Sequence, residues 1–226
     1  MKNASLAAAG LCLLALATGA NAAGDSTSKA IPSPNIFPFL STYLGLPANM
    51  RDHYHLSYAL RSQNARFSDV HMMLKRKSGD VPIAVAANGQ MSPLPTLVEL
   101  TEKTPIMMSA PSGAKFGVEL KIAASVDSSK TYDAQGLKIA VDQARTGSKK
   151  VAGLMAMMVP DFQSACFEGT SSGTAMLNTG KTIALKLSAK AGDVPAGTPC
   201  FTPSEMPAAT QITLDRPATA VYIVAK

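Results

Sequence analysis

The chain has no tryptophan, and phenylalanine and tyrosine together make up only 5% of its 226 residues. That scarcity argues against a carbohydrate-binding platform, which presents rings for sugars to stack on. Histidine is equally sparse: His53, His55 and His71 lie within nineteen residues, and the C-terminal half has none. A serine or cysteine nucleophile in that half therefore has no imidazole base nearby in sequence. Cysteine is limited to Cys12, Cys166 and Cys200. There is no long basic block. The densest clusters, Lys75-Arg76-Lys77 and Lys149-Lys150, do not interleave with aromatics, so the sequence carries no nucleic-acid footprint.

The N terminus is informative. Met1-Lys2-Asn3 is a short basic start, Ala4 to about Ala17 is apolar, and Ala20 and Ala22 stand at A-x-A spacing. This is the layout of a secretory signal peptide over residues 1–23, cleaved near Ala22 or Ala23, and too short for a membrane span. The expected destination is secreted or periplasmic, with no transmembrane segment after cleavage. Cys12 leaves with the signal. Cys166 and Cys200 then form an even pair, which in an exported protein reads as one disulfide. Without Lys2 the remaining chain holds 20 basic and 15 acidic residues, a net charge of +5. That balance favours weak association with anionic surfaces such as acidic lipid head groups.

Along the chain, residues 24–52 read as a linker followed by a proline-rich extended segment. Pro32, Pro34 and Pro38 favour a polyproline-like strip that lays Ile31, Ile36, Phe37 and Phe39 over a neighbouring sheet. Residues 53–126 read as a β-sandwich-like domain of short alternating strands: 53–61, 67–76, 81–87, 105–109 and 114–124. Asn88-Gly89 is a hairpin-turn signal, and 96–103 a helical turn. Residues 127–226 read as a helical segment at about 133–159 plus a second β-rich part, alternatively packed with the preceding part as one domain. Thr146-Gly147 is expected to break the helix, Ser148 to cap its second half, and Val151, Leu154, Met155 and Met158 to face the core. Strands resume near 163–168, 174–177, 182–188, 198–202, 210–214 and 219–225. The fold class is α+β, mainly β.

The histidines form the sharpest candidate site. If Arg61 pairs with Phe67 in a hairpin, Ser57 falls opposite His71 and His55 opposite Met73. His53, His55, His71 and Met73 would then share one face, a donor set suited to copper or zinc. Other motifs fail on inspection. Residues 175–182 resemble a phosphate-binding loop, but Ala175 replaces the first glycine and the segment leads into an alternating strand. Ser112-Gly113-Ala114-Lys115 matches S-x-x-K without its partner motifs. Gly169-Thr170-Ser171-Ser172-Gly173 is a hydroxyl-rich loop without a base. The sequence does not establish Asp69 or Asp80 with Glu99 as a carboxylate pair. The sequence therefore favours a non-enzymatic binding or envelope-accessory protein, with an envelope protein or small ligand as partner and no cofactor. The alternatives are copper or zinc handling and a hydrolase with an unrecognised site.

Overall fold

The computed structural model describes residues 26–189 and 194–225, so the signal segment expected at 1–23 lies outside the described residues. In chain order the strands are β1 (Ser26–Pro32), β2 (Tyr54–Gln63), β3 (His71–Arg76), β4 (Gly79–Val85), β5 (Met91–Ser92), β6 (Pro105–Pro111), β7 (Lys115–Ala124), β8 (Thr131–Asp133), β9 (Phe162–Glu168), β10 (Gly173–Leu177), β11 (Thr182–Ala184), β12 (Lys186–Leu187), β13 (Pro199–Phe201), β14 (Ala209–Leu214) and β15 (Ala220–Ala225). The α-helices are α1 (Ser33–Ile36), α2 (Leu40–Leu44), α3 (Leu97–Thr101) and α4 (Ala134–Ala152). The strands form three antiparallel sheets, ordered β1-β6-β3-β4-β5, β12-β13-β9-β15-β7-β2 and β11-β10-β14-β8. The fold is α+β and mainly β.

The six-stranded sheet draws β2 and β7 from the chain before α4 and its other four strands from the chain after it. Its strands show why alternation places side chains. On β2, Tyr54, Leu56, Tyr58 and Leu60 enter the main core, while His55 between them stays exposed. On β15 both faces are covered, which explains its continuous apolar run. Val221 and Ile223 join the main core, and Tyr222 and Val224 join a smaller cluster with Ala123, Cys166, Val194 and Cys200. Cys166 and Cys200 face each other across β9 and β13 and are joined by a disulfide.

The proline-rich segment departs from the extended strip. Only its first part is extended, as β1, which starts inside the stretch that reads as a linker and pairs with β6. Pro34 then sits in the first turn of α1, where a missing N–H costs nothing. Ile36, Phe37, Leu40 and Tyr43 all turn inward. Tyr58 Oη donates to the Pro38 carbonyl at 2.5 Å, and its ring meets Phe37 edge-on at 5.1 Å.

The helical segment also differs. Asp133 caps α4 by accepting from the Gly136 N–H at 2.6 Å. The helix runs unbroken through Thr146-Gly147, and Ser148 donates back to the Ala144 carbonyl at 2.5 Å rather than capping a new helix. The absence of a side chain at Gly147 serves packing: a Cβ there would lie 2.1 Å from Tyr54 Oη. The break comes at Gly153, with φ +56, and residues 153–158 form a 3-10 turn. Helical periodicity therefore does not carry past Gly153. Leu154 and Met158, expected on the core stripe, are 106% and 81% exposed. Loss of the helix cap gives a first prediction. Asp133→Ala lowers stability by about 1 kcal/mol while Asp133→Asn retains most of it, read from urea unfolding.

Candidate functional site

A cavity of about 390 Å³ opens between the C-terminal end of α4 and the inner face of the six-stranded sheet. Tyr54 and Leu56 of β2, Leu120 and Ile122 of β7 and Ile223 of β15 line its sheet wall. Val151 and Ala152 close it from the helix, and Phe39 and Met158 stand at it from α2's leading residue and the 3-10 turn. The size is that of a small-molecule site.

The polar groups of this lining are turned to other work. Ser148 Oγ is bonded to Ala144, and Tyr43 Oη donates to the Tyr54 carbonyl at 2.6 Å. Lys121 alternates to the outer face of the sheet, where its Nζ lies 4.6 Å from the Tyr222 ring centroid and 3.5 Å from Glu119. Tyr54 is different. Its ring lines the cavity, but its hydroxyl, buried against Gly147, has no hydrogen-bond partner among the described residues. Burial pushes this phenol well above its usual range, so it remains neutral. The cavity thus offers apolar contact and almost no competing hydrogen bonds.

The histidine hairpin does not form. β2 pairs with β7, placing His55 opposite Ala123 and Ser57 opposite Lys121. β3 lies in the other sheet between β6 and β4, with His71 opposite Ser109 and Met73 opposite Met107 and Pro82. The reason is local: a 3-10 turn at Phe67–Asp69 comes after the end of β2 and leads the chain into a different sheet. Phe67 therefore does not continue the ladder from Arg61, whose partner is Gly117. His53 precedes β2 and its backbone N–H donates to Gln143 Oε1 at 3.0 Å. His55 Nδ1 lies 3.4 Å from Ser125 Oγ. Although His55 is exposed at the surface, crowding by protein around its ring holds its pKa below the ordinary value. Among the described residues, no group of three or more His, Cys, Asp or Glu side chains is placed to hold a metal ion.

The other motifs take structural roles. Residues 175–182 fall in the β10–β11 hairpin, with Gly180 at φ +78 in its turn. Ser112 and Gly113 form the turn between β6 and β7. In the 169–173 loop, Ser171 Oγ donates to Asp215 at 2.7 Å, assisted by the N–H groups of Ser171 and Ser172. These hydrogen bonds, the Ser171 hydroxyl foremost, hold the Asp215 carboxyl well below the usual carboxylate range. Glu99 reaches back to the Thr96 N–H in a capping box and pairs with Arg76. Asp80 pairs with Lys75, and Asp69 with Arg66 at 3.6 Å.

Sequence reasoning misses the cavity because its walls come from five separate stretches of chain. A usable signal is present in Gly147, a glycine inside a strong helical pattern, which marks close approach by another element. Comparison with family models, with curated proteins and with solved structures gives no match.

Proposed function

We propose that this is an exported, non-enzymatic binding protein that holds an apolar small molecule in the cavity beneath α4. The observation that carries the reading is the composition of the cavity wall: about 390 Å³ bounded mainly by aliphatic and aromatic side chains, with Ser148 and Tyr43 bonded to backbone carbonyls and the Tyr54 hydroxyl turned against Gly147. Burying apolar ligand surface there contributes roughly 25 cal/mol per Å², with no hydrogen bonds of the wall to break. Export is supported by the disulfide, which persists in oxidising compartments. No helix among the described residues is long and apolar enough to cross a membrane.

The test uses a neutral fluorescent probe, N-phenyl-1-naphthylamine, titrated into native protein and two cavity-filling variants. Leu120→Trp fills the site from the sheet wall and Val151→Phe from the helix wall. Both are expected to weaken probe binding at least about tenfold, since filling the cavity removes the contact area that drives association. Their melting temperatures should stay close to native, because the added atoms occupy empty space. Equal probe affinity in native protein and both variants would sink the reading.

A further inference from the structure

Beyond the cavity, the surface beside its mouth is built for a specific kind of contact. Leu154 and Met157 are 106% and 99% exposed, and Met158, which also lines the cavity, is 81% exposed. Phe39, 44% exposed, adds a ring to the same rim. Leu154, Met157 and Met158 project from the 3-10 turn that begins at Gly153. Immediately behind them, in the last turn of α4, stand Lys149 and Lys150, both exposed.

The charge behind this turn is left positive. The denser basic cluster elsewhere is neutralised: Lys75 pairs with Asp80, Arg76 with Glu99, and Lys77 with Glu102 at 3.5 Å. Arg145, one turn before the lysines, is paired with Asp142. Lys149 and Lys150 have no acidic partner among the described residues; Lys150 Nζ instead lies 3.3 Å from Met50 Sδ. One acidic side chain, Asp161, comes after the turn, and Gln163 donates to it at 2.8 Å. An apolar tip with two unneutralised cations behind it matches the profile of a bilayer interface, where acyl chains lie beneath anionic head groups.

We propose that residues 153–158 insert into the interface of an anionic lipid bilayer, with Lys149 and Lys150 meeting the head groups and the cavity mouth facing the acyl region. An apolar ligand could then pass between the membrane and the cavity without crossing water. The anchoring stands independently of the cavity: a turn can anchor a protein whose cavity is never filled.

The chain from Gly24 onward, which holds the fifteen strands and four α-helices of the described residues, is used for the test. It is sedimented with vesicles of phosphatidylethanolamine and phosphatidylglycerol, and in parallel with phosphatidylcholine vesicles. Native protein is expected to partition onto the anionic vesicles and to be released by high salt. Leu154→Asp with Met157→Asp should lower the partition at least about tenfold, because charges then enter the acyl region. Lys149→Glu with Lys150→Glu should also lower it at least about tenfold, because the anionic surface then repels the helix end. Leu120→Trp, which fills the cavity, should keep native vesicle binding; that result separates this proposal from the cavity reading. All four positions altered on the turn and helix end are exposed, so folding is not at risk. No partition of native protein onto anionic vesicles would overturn the proposal, as would unchanged partition of the aspartate variant. Self-association abolished by the aspartate substitutions, without lipid binding, would assign the turn to a second copy of the chain and overturn it equally.

Discussion

Replacing Cys166 and Cys200 together by alanine is expected to lower stability by about 3–4 kcal/mol and the melting temperature by roughly 10 °C. The two cysteines are 34 residues apart in sequence, and the chain-entropy cost of that loop in the unfolded state sets the magnitude. The location sets the consequence. β13 has three residues and β12 two, too short to hold their edge of the sheet by ladder hydrogen bonds alone. The disulfide ties that edge to β9, which pairs along most of its length with β15. Cys166 and Cys200 are 0% and 8% exposed, so alanine is the right replacement; serine would bury an unpaired hydroxyl. Thermal melts of native and double-alanine protein check the size. A loss under about 1 kcal/mol would show that the short strands hold without the link.

The second large effect is expected at Gly147. Alanine is normally about 1 kcal/mol better than glycine inside a helix. Here Gly147→Ala is expected to cost about 2 kcal/mol net, because the new methyl would meet Tyr54 Oη at 2.1 Å and Cζ at 3.0 Å. Tyr54 borders the cavity, but a neighbouring ring limits its retreat. It is 1% exposed, and Tyr43 packs edge-on against it at 5.3 Å. Tyr54→Phe alone should be neutral or slightly stabilising, since it deletes a buried hydroxyl without a described partner. Combining Tyr54→Phe with Gly147→Ala should recover more than about 1 kcal/mol of the loss, the coupling expected of groups in direct contact. Urea unfolding of the four proteins measures this cycle. If the two changes were additive, the close approach of helix and strand would not be what glycine serves.

Much of the strand pattern is legible in the sequence because alternation reports a buried face directly. The strands expected near 163–168, 174–177, 210–214 and 219–225 agree with β9, β10, β14 and β15 within about a residue or two at either end. The disulfide is legible for a different reason: chemistry leaves two cysteines one obvious partner each. Pairing is not legible. Residues 53–61 and 67–76 look like a hairpin because they are consecutive, yet β2 and β3 enter different sheets. Alternation says which face a residue takes and says nothing of its neighbour strand. The end of α4 is equally hard to place, because Gly147 and Gly153 look alike as letters. One is fixed by a tyrosine from 93 residues earlier, the other by its own positive φ. The cavity is hidden for the same reason as the pairing: it exists only where distant segments meet.

The position of β15 between β9 and β7 also sets a folding order. During synthesis β2 and β7 emerge long before residues 220–225, and they can pair with each other early. The sheet cannot join its two halves until β15 arrives, so its central seam is made from contacts far apart in sequence, the kind that form slowly. Until then the Ile122–Ala123 end of β7 is an unpaired strand edge, the sort of surface that invites association with other chains. A protein wired this way gains from being kept unfolded until its last strand is available.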